Sequence, residues 1–315
     1  MIYNSILDCI GNTPMIKLNH VVPEECAEIF VKYEGLNVGG SIKTRSALSM
    51  IEDAERKGLL NKDSIIVEPT SGNQGIGLAL IGAIKGYKVK IVLPDSVSLE
   101  RRKLIKHYGA ELLLIHDEGN IGECINKCIN KAMELKKNNP NVFVPQQFEN
   151  DANYMIHENV TAYEILKDVN KIIDGFCSGI GTGGTLTGIG HTLKKANPNI
   201  KIWAIEPENA SLITNGKVSN HIQMGIGDGI IPKILDRTIY DSITLVSDDE
   251  ALEMAKNLAC KEGLICGISS GTNVVGAIRL GKMLGKGKTV VTILPDTGER
   301  YFSTVLFDEW YYFHW

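Results

Sequence analysis

The chain has 315 residues, 43% hydrophobic and 22% charged, with a formal net charge of −4. This is the composition of an ordinary globular protein, and its mild acidity gives no electrostatic case for a nucleic-acid partner. The length exceeds what one core usually fills and predicts two packed domains. The first residues, Met1-Ile2-Tyr3-Asn4-Ser5, lack a basic stretch followed by an apolar run, so no secretory leader is expected. The longest apolar runs, such as 77–84, are too short to cross a bilayer. Seven cysteines, an odd number without metal-ligand spacing, fit reduced thiols and a cytoplasmic location.

Gly39-Gly40-Ser41-Ile42-Lys43 is the first stretch that carries chemistry. Two glycines free the backbone, and a helical pattern over 44–57 begins directly after. A lysine at a helix start sits in an unfavourable dipole field. That field, with partial burial, would lower its pKa and free the amine to attack an aldehyde. Taken singly, a lysine is far more often a solvated surface group. Ile65-Ile66-Val67 then reads as a buried strand. Glu68-Pro69-Thr70-Ser71-Gly72-Asn73-Gln74-Gly75 follows it and opens a helical pattern over 75–85. Amides and hydroxyls at a helix N-terminus form an anion site that suits a substrate α-carboxylate. A plain capping turn also uses Ser and Thr, but small polar groups are denser here than one cap needs.

Residues 89–93 and 111–115 read as strands, and 99–108 and 121–137 as helices. Cys124 and Cys128 share a helix face; no second Cys/His pair completes a zinc site, so they read as ordinary thiols. Asn138-Asn139-Pro140-Asn141 breaks the pattern, and the chain is expected to cross between domains near Gln146-Gln147-Phe148. Gly179-Ile180-Gly181-Thr182-Gly183-Gly184-Thr185 follows another strand-like run and opens a helix. It fits the dinucleotide fingerprint, with Glu206 near the acidic position after a 200–205 strand. An NAD-dependent dehydrogenase is therefore a rival reading. Any phosphate cradle needs such glycines, however, and the threonines fit a terminal monophosphate better than a bridging pyrophosphate. The rival also leaves Lys43, Asn73 and Ser269 without roles. After a helix over 248–262, Gly267-Ile268-Ser269-Ser270-Gly271 precedes another over 272–284 and a strand over 289–294. One serine suits an N-cap; the other offers a hydroxyl to a cofactor ring nitrogen. The aromatic end, Trp310-Tyr311-Tyr312-Phe313-His314-Trp315, reads as a tail docked on the body or on a second subunit. The alternation of strands and helices predicts an α/β protein with two open, twisted, mostly parallel sheets flanked by helices.

These motifs, from Ile10-Gly11-Asn12-Thr13-Pro14 to Pro295-Asp296-Thr297-Gly298, together resemble the fold-type II enzymes of pyridoxal 5′-phosphate (PLP), which are tryptophan synthase β-like. The closer resemblance is to the cysteine synthase and cystathionine β-synthase catalytic-core family. It covers nearly the whole chain. It implies PLP as cofactor, with Lys43 as the Schiff-base lysine and Asn73 at the 3′-oxygen. It implies Gly181, Thr182, Gly183, Gly184 and Thr185 on the phosphate, and Ser269 at the ring nitrogen. Thr70, Ser71, Asn73, Gln74 and Gln147 would surround the substrate carboxylate. Residues 1–37 and 150–315 would form the larger, phosphate-binding domain, and 38–149 a smaller, mobile one that closes over that carboxylate. The implied activity is β-elimination and β-replacement on a small L-amino acid through an aminoacrylate, with Lys43 moving the α-proton. A homodimer is implied, the tail of serine acetyltransferase is a further possible partner, and no metal, haem, nucleic acid or membrane is expected.

The chain departs from that family's pattern in four places. The usual Ser-x-Lys-Asp-Arg is Ser41-Ile42-Lys43-Thr44-Arg45, Asn-Pro before the glycines is Asn37-Val38, and Gln74 replaces a threonine. The turn facing the substrate reads Gly225-Ile226-Gly227-Asp228-Gly229, where cysteine synthases carry a small residue and cystathionine β-synthases a tyrosine in place of Asp228. An Asp between glycines also simply favours a tight turn. A carboxylate beside the substrate β-carbon would repel hydrosulfide and help a neutral nucleophile lose its proton. Asp228 is therefore expected to be catalytic beside Lys43, with L-cysteine as donor and sulfide leaving. Water or a second cysteine would add, giving serine or lanthionine. The alternative is the family's default, O-acetyl-L-serine plus sulfide giving L-cysteine.

Overall fold

The computed structural model describes residues 2–308; the aromatic end at 310–315 lies outside the described residues. The chain runs β1 (Met15–Lys17), β2 (Glu28–Tyr33), α1 (Lys43–Arg56), β3 (Ile65–Pro69), α2 (Asn73–Lys85), β4 (Lys88–Pro94), α3 (Leu99–His107), β5 (Glu111–Ile115), α4 (Ile121–Asn138) and β6 (Val142–Phe143). It continues through α5 (Ala152–Ile156), α6 (Ala162–Val169), β7 (Gly175–Gly179), α7 (Gly184–Ala196), β8 (Lys201–Pro207), α8 (Leu212–Asn215), β9 (Ser242–Val246), α9 (Asp248–Glu262), α10 (Ile268–Leu284) and β10 (Thr289–Leu294). One sheet has the order β1-β2-β10-β7-β8-β9, with only β1 antiparallel. The other has the order β5-β4-β3-β6 and is wholly parallel. These are the two mostly parallel sheets that the β-α alternation predicts.

Strands covered on both faces read as unbroken apolar runs. In β10 all six residues are buried. Separate apolar clusters lie under the helices of each sheet: Ile29, Val274 and Leu280 belong to one, Phe176, Ile189 and Ile202 to a second. Ile66, Leu78 and Ile91 centre a third, on the smaller sheet. Cys128 lies in a fourth with Val67 and Val92, so the thiols of α4 fill core space. Burial pushes the Cys128 thiol up to about 12.

Several elements escape a reading by pattern, β6, α5, α6, α8 and β9 among them. The three-residue β1 is too short to show alternation. β2 carries the charges Glu28 and Lys32, and Lys32 is fully buried. Between α5 and α6 a π-helical turn, His157–Thr161, shifts the helical period.

The carboxyl ends of the parallel strands meet where the sheets meet. β3 delivers Thr70 and Ser71, β7 delivers the glycine-rich loop, and β10 delivers Pro295 and Asp296. Parallel α/β sheets place ligand sites at this edge. The stretch before α1 is spliced onto it: Ile42 N–H donates to the Pro295 carbonyl at 2.8 Å, and Thr297 N–H to the Gly40 carbonyl at 3.1 Å.

Arg45, two residues after Lys43 and so on another side of the helix, anchors α1. Its guanidinium donates to Glu34 from Nε and Nη2, both at 2.9 Å, and to both Glu164 oxygens at 2.7 Å. Lys32 joins from β2, with Nζ 2.9 Å from Glu164. Burial works against these charges, but the bidentate geometry satisfies them. Despite burial, Arg45 and Lys32 hold the Glu164 carboxyl down to about 2. Arg45→Met leaves Glu34 and Glu164 without their guanidinium, and denaturant unfolding is expected to show a loss of roughly 3–5 kcal/mol. A loss below about 1 kcal/mol would mean that this network does not hold α1.

Candidate active site

A single cleft between the sheets collects most of the residues singled out in the sequence. Lys43, Thr70, Ser71, Asn73, Gln74, Gln147, Gly181, Thr182, Gly183, Thr185, Asp228 and Ser269 all line it. Gly184, absent from that lining, sits beside it as the first residue of α7.

Lys43 is the first residue of α1 and lies deep in the cleft. Burial lowers its pKa, against the pull of Asp228 and Asp296. The amine is thereby moved toward its neutral, nucleophilic form.

The turn after β3 is built around a carboxyl that the sequence reading did not single out. Glu68 is fully buried and accepts from the backbone N–H groups of Gln146 at 3.0 Å and Gln147 at 2.9 Å. Gln146 has a φ of 58°, a left-handed conformation that this grip holds in place. Gln147 then donates its side-chain amide to the Pro69 carbonyl at 3.1 Å. The Thr70 hydroxyl accepts from Gly72 N–H at 3.0 Å, and Gly72 takes a φ of 133° as the N-cap of α2. Gln74 is 1% exposed, and its Oε1 accepts from the Ser46 hydroxyl at 2.9 Å. Its Nε2 has no hydrogen-bond partner. The Ser46 hydroxyl also reaches the Lys43 carbonyl at 3.0 Å, so Gln74 is tied to the start of α1.

The glycine-rich loop is shaped for close approach. A Cβ at Gly181 would lie 2.4 Å from the Gly225 carbonyl oxygen, and one at Gly184 would lie 2.5 Å from Asn153 Oδ1. Gly183 is the left-handed N-cap of α7, with a φ of 78°. Asn153 donates to the Gln147 carbonyl at 2.8 Å and to the Thr182 hydroxyl at 3.0 Å, tying the two anion turns together. Glu206, the residue a dinucleotide reading needs, accepts from Ile213 N–H, Thr214 N–H and the Thr214 hydroxyl. It is committed to the start of α8 and unavailable to a ribose.

Asn73 is held from both ends. Its Nδ2 donates to Asp296 Oδ2 at 2.6 Å, and its Oδ1 accepts from Arg300 at 2.6 Å. Tyr301 also donates to Asp296, at 2.7 Å, and Arg101 stacks on the Tyr301 ring at 4.4 Å. Ser269 and Ser270 lie inside the first turn of α10, whose N-cap is Gly267 without a side-chain cap. Neither serine is therefore the cap. Ser269 faces the cleft, and Ser270 is buried near Cys266.

Asp228 is 9% exposed, between two glycines whose positive φ values of 66° and 72° meet the conformational demands of the turn. Burial pushes its carboxyl up, opposed by His221, Lys43, Ser71 and Arg101. Asp228 and Lys43 thus face one space and influence each other's charge.

This donor set fits a phosphorylated aldehyde. It has a buried amine, a helix N-terminus behind glycines that admit no side chain, and a hydroxyl at the start of α10. Glu68 gives the site a pH signature. Burial raises its carboxyl from 4.5 to about 8, against two backbone hydrogen bonds. The folded protein therefore holds this proton when the unfolded chain has released it, and the stabilising contribution falls as pH rises from about 4.5 to about 8. Glu68→Gln is expected to flatten that decline in a series of denaturant midpoints; an unchanged slope would show that Glu68 is already charged in the fold.

Residues 6–296 match the family of pyridoxal-phosphate dependent enzymes. A cysteine synthase of Staphylococcus aureus is 50% identical over 305 residues, 96% of this chain and 97% of that one. Among solved structures, a hydrogen sulfide-producing enzyme from Fusobacterium nucleatum aligns with a TM-score of 0.90 at 45% identity, covering 95% of this chain and 100% of that one. An O-ureido-L-serine synthase aligns with a TM-score of 0.91 at 41% identity, covering 98% and 96%. The chain belongs to the pyridoxal-phosphate dependent enzymes, as a β-replacing member of the cysteine synthase type.

Proposed function

We propose that the enzyme takes L-cysteine as donor, releases hydrogen sulfide and adds water or a second cysteine at the β-carbon, giving serine or lanthionine. Asp228 carries this reading. A buried carboxylate with a raised pKa, on a turn that faces Lys43, suits a neutral nucleophile that must lose a proton. The same charge disfavours an incoming hydrosulfide. The similarity to a hydrogen sulfide-producing enzyme supports sulfide as the leaving group. The alternative, O-acetyl-L-serine plus sulfide giving L-cysteine, is supported by the similarity to cysteine synthases.

PLP, when bound, supplies an electron sink that lets the substrate lose its α-proton and β-substituent. The protein's residues do the rest. Lys43 holds the cofactor and, once released, takes the α-proton, which its burial-lowered pKa favours. The loop from Gly181 to Thr185 and the first turn of α7 hold the phosphate. Ser269 would meet the ring nitrogen with a neutral hydroxyl, and Asn73, held by Asp296 and Arg300, would meet the 3′-oxygen. Thr70, Ser71, Gln74 and Gln147 take the substrate carboxylate, with the free Gln74 amide donating to it. In the same reading, residues 38–149 close over that carboxylate against a body of 1–37 and 150–315, and exclude water.

Two variants test these roles. Lys43→Ala is expected to lose the visible absorbance of the cofactor-loaded protein, and an intact absorbance would remove Lys43 from the site. Asp228→Asn is expected to keep that absorbance and slow L-cysteine turnover by about 100-fold, within the range for a lost general base. Unchanged turnover would leave Asp228 as a turn residue.

A further inference from the structure

A second cavity of about 260 Å³ adjoins the cleft on the far side of Asp228. Ser71, Met224, Gly225, Ile226 and Asp228 line both spaces, so the turn at 225–228 is a partition with Asp228 accessible from either side. Outer residues of this cavity include Ser96, Asp117, Asn220 and His221. Among the described residues that line it there is no lysine or arginine. Its polar groups are fixed. Asp117 accepts from the Ser96 hydroxyl at 2.6 Å and from Gly119 N–H at 3.0 Å. His221 Nδ1 accepts from Gln223 N–H at 3.1 Å, which places the ring hydrogen on Nε2, 3.2 Å from the Gly227 carbonyl it donates to. Two carboxylates, Asp117 and Asp228, and a lining without lysine or arginine among the described residues form a chamber that favours a positively charged group.

We propose that this outer cavity receives the second substrate, a thiol that also carries an ammonium group, such as a second molecule of L-cysteine. The inference rests on the β-replacement reading and assigns its nucleophile. The ammonium group meets Asp117, and the thiol reaches through the partition to Asp228. Asp228 takes the thiol proton as the sulfur bonds the donor's β-carbon. The donor's own C–S bond has broken, and its sulfur leaves with a proton. Two cysteines thus give one lanthionine and one hydrogen sulfide, with no oxidant or reductant required. Asp117 touches only the incoming molecule and serves as a specificity residue.

The test uses the cofactor-loaded enzyme with O-acetyl-L-serine as donor, so that the acceptor is read independently of whether L-cysteine donates. Cysteamine, a thiol with an ammonium group, is compared with 3-mercaptopropionate, a thiol with a carboxylate, by half-saturating concentration. The native enzyme is expected to favour cysteamine by about tenfold or more, the scale of one charge-assisted contact. Asp117→Asn is expected to remove most of that preference and Asp117→Lys to reverse it. Single-turnover consumption of O-acetyl-L-serine should be unchanged in both variants, which also shows that they fold. With L-cysteine alone, Asp117→Asn should shift the product from lanthionine toward serine. An acceptor preference that is absent in the native enzyme, or that both Asp117 variants retain, would overturn the proposal. Absence of sulfide from L-cysteine would instead overturn the donor reading, and leave the acceptor comparison to be judged on its own.

Discussion

Everything at the site depends on a short splice between two distant pieces of chain. Residues 40–42 bond to 295–297 by backbone hydrogen bonds, and Ser41 bridges Asp296. The splice places Lys43 at the carboxyl end of β10, beside the loops that end β3 and β7. Asp296 extends it with side chains: Asn73 comes from the smaller sheet, and Tyr301 stacks against Arg101 of α3. Lys43, Asn73 and the turns after β3 and β7 are thereby held as one unit.

Charge inside that unit is graded. Arg45, Glu34, Glu164 and Lys32 satisfy one another, with Thr13, Asn37 and Asp168 completing the set, so the network is structural. Near the cleft the compensation is looser. Arg101 Nε, Arg300 Nε, Asp296 Oδ1 and Gln74 Nε2 are buried without hydrogen-bond partners. Asp228 lies in the looser region, so burial moves its pKa up. The same burial that raises an acid lowers an amine, and Lys43 moves in the opposite direction. One burying pocket therefore yields two groups able to take protons.

The parts of the site that are legible in sequence are those made by local chain geometry. Gly39, Gly72, Gly183 and Gly227 mark backbone conformations that few other residues adopt, and small polar residues follow strands where helix N-termini begin. The α/β class is legible for the same reason, since strands buried on both faces read as apolar runs. Partners that meet across the fold are not legible. Arg300 reaches Asn73 across 227 residues, and Tyr301 meets Arg101 across 200. Glu68 sits inside a quoted motif, yet its grip on Gln146 and Gln147 appears only when the sheet is assembled. Buried charges hide β2 in the same way, because Lys32 looks like a surface residue until Glu164 is placed beside it.

The central claim is that sulfide leaves and that a neutral nucleophile enters. It is tested most directly by incubating the enzyme with L-cysteine alone and measuring sulfide together with the mass of the carbon product. Sulfide released with serine or lanthionine in matching amount is the result this account predicts. No sulfide from L-cysteine, with L-cysteine instead formed from O-acetyl-L-serine and sulfide, would contradict it.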